Sequence, residues 1–100
     1  MNYKNINAKD FNELAKKSET VILDVRSAAE YKSGTIPGAQ TGFDFLSGEF
    51  SRKINQLDPN TTYLIYCRSG NRSGAACSQL SSKGFTQVYN LTGGIGQWRP

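Results

Sequence analysis

Apolar residues in this chain fall into short dense runs, separated by stretches in which they recur at helical spacing. Val21-Ile22-Leu23-Asp24-Val25 is nearly continuous, the pattern of a strand covered on both faces. Thr62-Tyr63-Leu64-Ile65-Tyr66-Cys67 is a second such run, rich in β-formers, and Val88-Tyr89-Asn90-Leu91 is a third. Before the first strand, Phe11, Leu14 and Ala15 share one face of a predicted helix. Asn7 can cap that helix, with Ile6 and Phe11 at the N′ and N4 positions of a hydrophobic staple. Ser27-Ala28-Ala29-Glu30 has capping-box spacing, so a short helix follows the first strand; Gly34 stops it, and Ile36-Pro37-Gly38-Ala39 turns into a brief extended piece. Phe43 to Phe50 carries no clear period. Phe50, Ile54 and Leu57 then fit a helical face that ends in the turn Asp58-Pro59-Asn60. Ser73 to Lys83 reads as a helix with Ala75, Ala76 and Leu80 inward. Gly84 stands at its C′ position, with Leu80 and Phe85 supplying the contact of a Schellman ending. Gly93-Gly94 and a last turn carrying Trp98 follow the third strand.

Strands that alternate with helices argue for an α/β fold with a mainly parallel sheet. There is no repeat, low-complexity tract or linker, so residues 1–100 read as one domain, long enough to bury its own core. No apolar run could span a bilayer, so no membrane association is expected. The N-terminal stretch MNYKNINAKDF lacks a signal core, and the chain is expected to be cytoplasmic and monomeric.

The scarce residue types narrow the chemistry. The chain has no histidine, which removes Ser-His-Asp and Cys-His nucleophile pairs together. Cys67 and Cys77 are too few for a disulfide framework and too far apart for a paired zinc knuckle, so neither a metal nor a cofactor is expected. The net charge is +4, and its placement matters. Up to Asp58 basic and acidic residues balance, eight against eight; beyond it there is no carboxylate side chain, while Arg68, Arg72, Lys83 and Arg99 remain. All the excess charge therefore lies in the half containing the Cys67 loop, and its ordinary reading is a solvated face. No basic cluster interleaved with aromatics suggests nucleic acid.

Cys67 stands at the carboxyl end of a buried strand, where the functional edge of a parallel sheet lies. Arg68-Ser69-Gly70-Asn71-Arg72-Ser73-Gly74 follows it. Small residues around a mid-loop glycine let successive N–H groups converge, and a helix beginning near Ser73 adds its free N–H groups and positive dipole end. Arg68 and Arg72 add full charges. Such surroundings bring a thiol from about 8.5 into the range of roughly 3.5–7.5, with no imidazole needed. Cys77, placed mid-helix beside Ala75 and Ala76, reads instead as an inert buried hydrophobe. A nucleotide P-loop is excluded because no G-x-x-x-x-G-K-[ST] occurs, and Gly93-Gly94-Ile95-Gly96 lacks the helix and acidic residue of a dinucleotide motif. A cysteine-dependent phosphatase would need an arginine after five intervening residues. Here Arg72 comes after four, and Ser73 holds the required place.

These residues resemble the rhodanese (thiosulfate sulfurtransferase) family in its single-domain form. Val21 to Arg26 with Glu30-Tyr31 looks like its first signature, and Gly34-Thr35-Ile36-Pro37-Gly38-Ala39 like its second. Cys67 to Ser73 looks like its active-site loop, and Gly93-Gly94 with Trp98 like its closing motif. The resemblance implies a five-stranded, mostly parallel sheet with helices on both faces. It implies Cys67 as nucleophile and sulfur carrier, taking sulfane sulfur from a small anionic donor such as thiosulfate and passing it to a thiol or cyanide, a protein thiol included. Backbone N–H groups of Arg68, Ser69, Gly70, Asn71, Arg72 and Ser73 would stabilise the sulfur anion, with Arg68 and Arg72 attracting the donor. Asp24, Arg26 and Glu30 would be structural, a buried or strand-end carboxylate and an ion pair holding the first turn. Thr35 departs from the family's usual histidine, and Gln40-Thr41-Gly42 is more polar than its usual continuation. Two other functions remain: a sulfur-carrying recognition module that works with a protein partner, and a phosphatase or arsenate-reducing relative, against which the loop spacing argues.

Overall fold

A computed structural model describes residues 3–100. Five strands, β1 (Tyr3–Ile6), β2 (Thr20–Asp24), β3 (Ala39–Gln40), β4 (Thr62–Tyr66) and β5 (Val88–Leu91), form one sheet in the order β1-β5-β4-β2-β3. Every neighbouring pair is parallel, so the three apolar runs in the sequence lie side by side at its centre. Four helices connect and flank it: α1 (Ala8–Ala15), α2 (Ala28–Lys32), α3 (Glu49–Lys53) and α4 (Asn71–Ser82). Two 3-10 turns, Ile54–Gln56 and Gly94–Gln97, complete the chain.

Alternation of side chains along the central strands divides the core into two layers. Leu23, Val25, Ile65 and Cys67 pack with Phe50, Ile54, Ala76, Cys77 and Leu80 on one face. Ile22, Leu64, Tyr66 and Leu91 pack with Phe11 and Ile36 on the other. Burial on both faces explains why β2 and β4 read as continuous apolar runs rather than alternating ones.

The element boundaries follow local hydrogen-bonding chemistry. Asn7 accepts from the Asp10 amide at 2.8 Å and starts α1. Ser27 and Glu30 form the expected reciprocal capping box at α2. At the end of α4, Phe85 N–H bonds to Leu80 O and Gly84 N–H to Ser81 O, with Gly84 at φ +92°, the Schellman ending read in the sequence.

Two expectations need correction. β1 was not foreseen, because Tyr3-Lys4-Asn5-Ile6 is half-covered only at its ends and pairs with β5 alone, as an edge strand does. The helix expected from Ser73 begins at Asn71, with Gly70 as a left-handed N-cap. Its inward face is Ser73, Ala76, Cys77 and Leu80, an i, i+3, i+4, i+7 stripe. Ala75 lies off that stripe and is exposed rather than inward.

Candidate active site

The carboxyl ends of parallel strands leave their loops on one edge, and the segment after β4 folds back over its own last side chain. Cys67 Sγ accepts the Gly70 N–H at 3.1 Å and the Ser73 hydroxyl at 3.4 Å. The early start of α4 supplies these donors. Gly74 is the first residue whose N–H reaches back along the helix, to Gly70 O at 2.9 Å. The amides of Asn71, Arg72 and Ser73 therefore precede the helical ladder, and Ser73 turns its own toward the sulfur.

Opposing influences act on the thiol. Burial is the largest and pushes its pKa up, since Cys67 is only 1% exposed. The Ser73 hydroxyl and the amides of Ser73, Gly70 and Ser69 pull it down, and together they hold the thiol below the ordinary cysteine value. Of the loop N–H groups expected to converge, three act on the sulfur: Ser69, Gly70 and Ser73.

The closing turn holds this cradle in shape. Ile95 N–H donates to Cys67 O at 3.0 Å and Gly96 N–H to Arg68 O at 3.2 Å. In a trans peptide the carbonyl and the next N–H point in opposite directions. Drawing Arg68 O toward Gly96 therefore turns the Ser69 N–H the other way, toward the sulfur. Gly94, at φ +63°, lies so close that a Cβ there would collide with the carbonyls of Arg68 and Cys67. Gly70 packs against Gly93 and Leu91 from the other side. Asn90 Nδ2 donates to Gly70 O at 3.3 Å and to Asn5 Oδ1 at 2.9 Å, tying the loop to β5 and β1.

The two loop arginines differ. Arg68 is exposed and has no ion-pair partner among the described residues. Arg72, expected to attract the donor, makes a two-pronged pair with Glu30 at 2.9 and 3.0 Å. Its hydrogen bonds bring the Glu30 carboxyl down to about 2, with Ser27 contributing further. Arg72 thus fastens the first turn of α4 to α2, and its charge still lies close enough to favour a Cys67 anion. The ion pair expected within the first turn is instead made by Arg26 and Asp24, both buried, at 2.7 Å.

Beneath that pair, Tyr66 Oη donates to Asp24 Oδ2 at 2.7 Å and accepts from Ile36 N–H at 3.2 Å. An ionised carboxylate only accepts, so the Tyr66 proton goes to Asp24 and Thr35 Oγ1, 2.6 Å away, donates to Tyr66. Burial foremost pushes the phenol up to about 12, keeping it a donor at neutral pH. Thr35, the departure from the usual histidine, therefore closes a buried network in this chain.

Sequence reasoning missed three contributors. The Ser73 hydroxyl adds a donor to the one its backbone amide promises, and Asn5 lies in the edge strand β1. Asn90 was absorbed into an apolar run, though a lone amide inside Val-Tyr-Asn-Leu is a signal that a buried polar partner waits nearby. No group of histidine, cysteine and carboxylate side chains suited to a metal occurs among the described residues.

The family profile of the Rhodanese-like domain matches residues 7–100. A protein named Thiosulfate sulfurtransferase GlpE, from Pseudomonas putida, is 37% identical over 87 residues, covering 87% of this chain and 76% of that protein. A tRNA uridine(34) hydroxylase from Nitrobacter hamburgensis is 39% identical over 93 residues, but the chain spans only 36% of its length. Among solved structures, a rhodanese-related protein from Thermoplasma volcanium superposes with a TM-score of 0.82 at 33% identity, covering 96% of this chain and 90% of that one. The sulfurtransferase relatives support sulfur transfer as the general activity. With its profile matched almost end to end, its relatives above 30% identity and its sheet shared with solved members, this chain belongs to the rhodanese-like domain family.

Proposed function

We propose that the chain is a thiosulfate-type sulfurtransferase that carries sulfur as a persulfide on Cys67. One observation carries this: the amides of Ser69, Gly70 and Ser73 and the Ser73 hydroxyl all favour an anion at Cys67 Sγ. The Cys67 thiolate attacks the outer, sulfane sulfur of the donor. A new S–S bond forms, the old one breaks, and sulfite leaves with the bonding electron pair. A thiolate or cyanide then attacks the outer sulfur of the persulfide and takes it away, returning Cys67 as a thiolate. Both half-reactions place negative charge at the loop, so donors preset in the fold stabilise it without reorganising. Arg68, exposed at the rim, attracts the anionic donor.

The resting sulfur is nearly covered, so the donor meets it at the edge of the loop, where Arg68 and Ser69 are exposed. Once loaded, the outer sulfur extends about 2 Å beyond Sγ and is the atom offered to the acceptor. The name of the Pseudomonas putida relative supports thiosulfate as donor. Phosphate chemistry is disfavoured because the sixth residue after the cysteine is Ser73, whose hydroxyl bonds the sulfur where a phosphatase would place an arginine.

Intact-protein mass spectrometry after thiosulfate treatment tests this. The wild-type chain and Cys77→Ser are expected to gain the mass of one sulfur, lost on a thiol chase, and Cys67→Ser to gain none. Equal sulfur uptake by Cys67→Ser would overturn the assignment.

A further inference from the structure

On the sheet face opposite α4, between α1 and the Ile36-Pro37 turn, lies a groove that sulfur transfer does not use. It measures about 600 Å³, within the roughly 300–1,000 Å³ of small-molecule sites. Ile22 and Ile36, at 7% and 2% exposure, lie at its base, and the half-buried Trp98 lines it from the closing turn. Helix α1 presents Ala8, Asn12 and Ala15 to it, an i, i+4, i+7 stripe. Two alanines on that stripe leave open the space that larger side chains would fill.

The polar groups around the groove define what it can hold. Asn12 stands among the apolar residues, but both ends of its amide are engaged. Its Oδ1 accepts the Trp98 Nε1–H at 2.8 Å, and its Nδ2 donates to Arg99 O at 2.7 Å. The interior therefore fits an apolar body, which needs no hydrogen bond there. The rim is different. Lys9, Lys16 and Arg99 stand exposed along it, and Glu13, its one carboxylate side chain, is paired with Lys16 at 3.3 Å. Lys9 and Arg99 make no ion pair among the described residues. Arg99 Nη1 donates to Trp98 O at 2.8 Å, which keeps that charge beside the groove. The rim stays positive even with a terminal carboxylate at Pro100 counted.

We propose that this groove binds a free carboxylic acid with an apolar body, of the fatty-acid kind. The hydrocarbon lies over Ala15, Ile22 and Ile36 against Trp98, and the carboxylate meets Lys9 and Arg99. This second site goes beyond the sulfurtransferase reading and does not depend on it. Neither feature alone would select such a ligand. An apolar recess takes any hydrocarbon, and exposed cations hold any anion only weakly. Side by side they favour the molecule that carries both, and they disfavour an apolar cation, which the rim repels. A recess, unlike a protruding apolar surface, accommodates a single free chain rather than a bilayer.

Trp98 is the only tryptophan in the chain, so its fluorescence reports on the groove alone. Decanoate, kept below its micelle concentration, is titrated into the full chain. A saturable change in Trp98 emission is expected. Butyrate and decyltrimethylammonium should each bind at least about tenfold more weakly, the first for want of apolar length and the second for its charge. Lys9→Glu combined with Arg99→Glu reverses two exposed charges. It should weaken decanoate by about tenfold and leave the denaturant midpoint where it was. The absence of a saturable change, equal binding of decanoate and decyltrimethylammonium, or undiminished affinity in the reversed variant would overturn the proposal. Amide NMR signals, followed in the same titration of the wild type, locate the ligand without any variant. Shifts centred on Ala15, Ile36 and Trp98 support the proposal. Shifts centred on Ser69 and Gly70 would place the acid at the Cys67 loop and overturn it. Thiosulfate loading of Cys67 should match the wild type in the reversed variant, so failure of sulfur transfer and failure of this site are read separately.

Discussion

Cys67 and Cys77 stand ten positions apart, and both are almost completely covered, at 1% and 0% exposure. They even share one apolar cluster, yet their thiols move in opposite directions. Cys77 sits in the middle of α4, where neighbouring backbone N–H groups are engaged along the helix. Burial there pushes its pKa well above the ordinary value, and a charge on Cys67 pushes it further. Burial pushes Cys67 up as well, but it faces the start of the same helix, where N–H groups have no carbonyl to meet. Covering a thiol therefore says little about its reactivity. What decides is whether unsatisfied donors point at it.

Three substitutions probe this contrast, in falling order of expected effect. Gly94→Ala is the most severe. Its φ of +63° and its contact with the Arg68 carbonyl leave no room for a methyl group. Strain and overpacking should cost about 2–4 kcal/mol of stability, read by denaturant unfolding, and should slow alkylation of Cys67 as the Ser69 amide is turned away. If stability and Cys67 reactivity both stay at wild-type levels, the closing turn does not hold the cradle.

Ser73→Ala removes one donor from the sulfur and keeps the backbone. The hydroxyl contact is long, at 3.4 Å, so its loss should cost about 1 kcal/mol of thiolate stabilisation, below the usual range for bonds to charged groups. Alkylation of Cys67 at neutral pH should slow by about threefold to tenfold, with Cys77 unaffected. Stability should barely change.

Glu30→Gln gives the smallest effect and a distinct pH signature. The folded carboxyl lies at about 2 against 4.5 without its partners. A group whose pKa is depressed by folding stabilises fully above its unfolded value and loses that contribution as pH falls through its folded value. The Arg72–Glu30 pair should therefore stabilise the fold above about pH 4.5 and weaken steadily toward pH 2. The side chains are 21% and 32% exposed, so screening limits the gain to about 0.5 kcal/mol. Glu30→Gln should be less stable than wild type at pH 7 and equal to it near pH 2, as read from denaturant midpoints. A constant difference across that window would mean that the pair does not couple to folding.

The parts of this molecule that could be read in its sequence are those dictated locally. The strands at Val21 and Thr62 are buried on both faces, and that burial appears directly as unbroken apolar runs. Asn7, the Ser27–Glu30 box and the Gly84 ending use side chains or backbone within a few residues, so spacing alone discloses them. The Cys67 loop was legible for the same reason: its glycine, its helix start and its sulfur are contiguous. Long-range choices were not. Nothing near Tyr3 shows that an edge strand will find β5, more than eighty residues away. Arg72 beside Cys67 suggests an anion site, and only the folded chain shows Glu30 occupying its guanidinium. Asn90 and Gly70 meet across twenty residues, and neither segment alone hints at the other.

The most direct measurement is the rate of Cys67 alkylation by iodoacetamide as a function of pH, in a Cys77→Ser background so that one thiol reports. The rate should rise along a single titration curve whose midpoint lies clearly below the value of about 8.5 for free cysteine. A midpoint at or above that value, or a thiol that stays unmodified at every pH in the folded protein, would contradict an anion held by Ser69, Gly70 and Ser73.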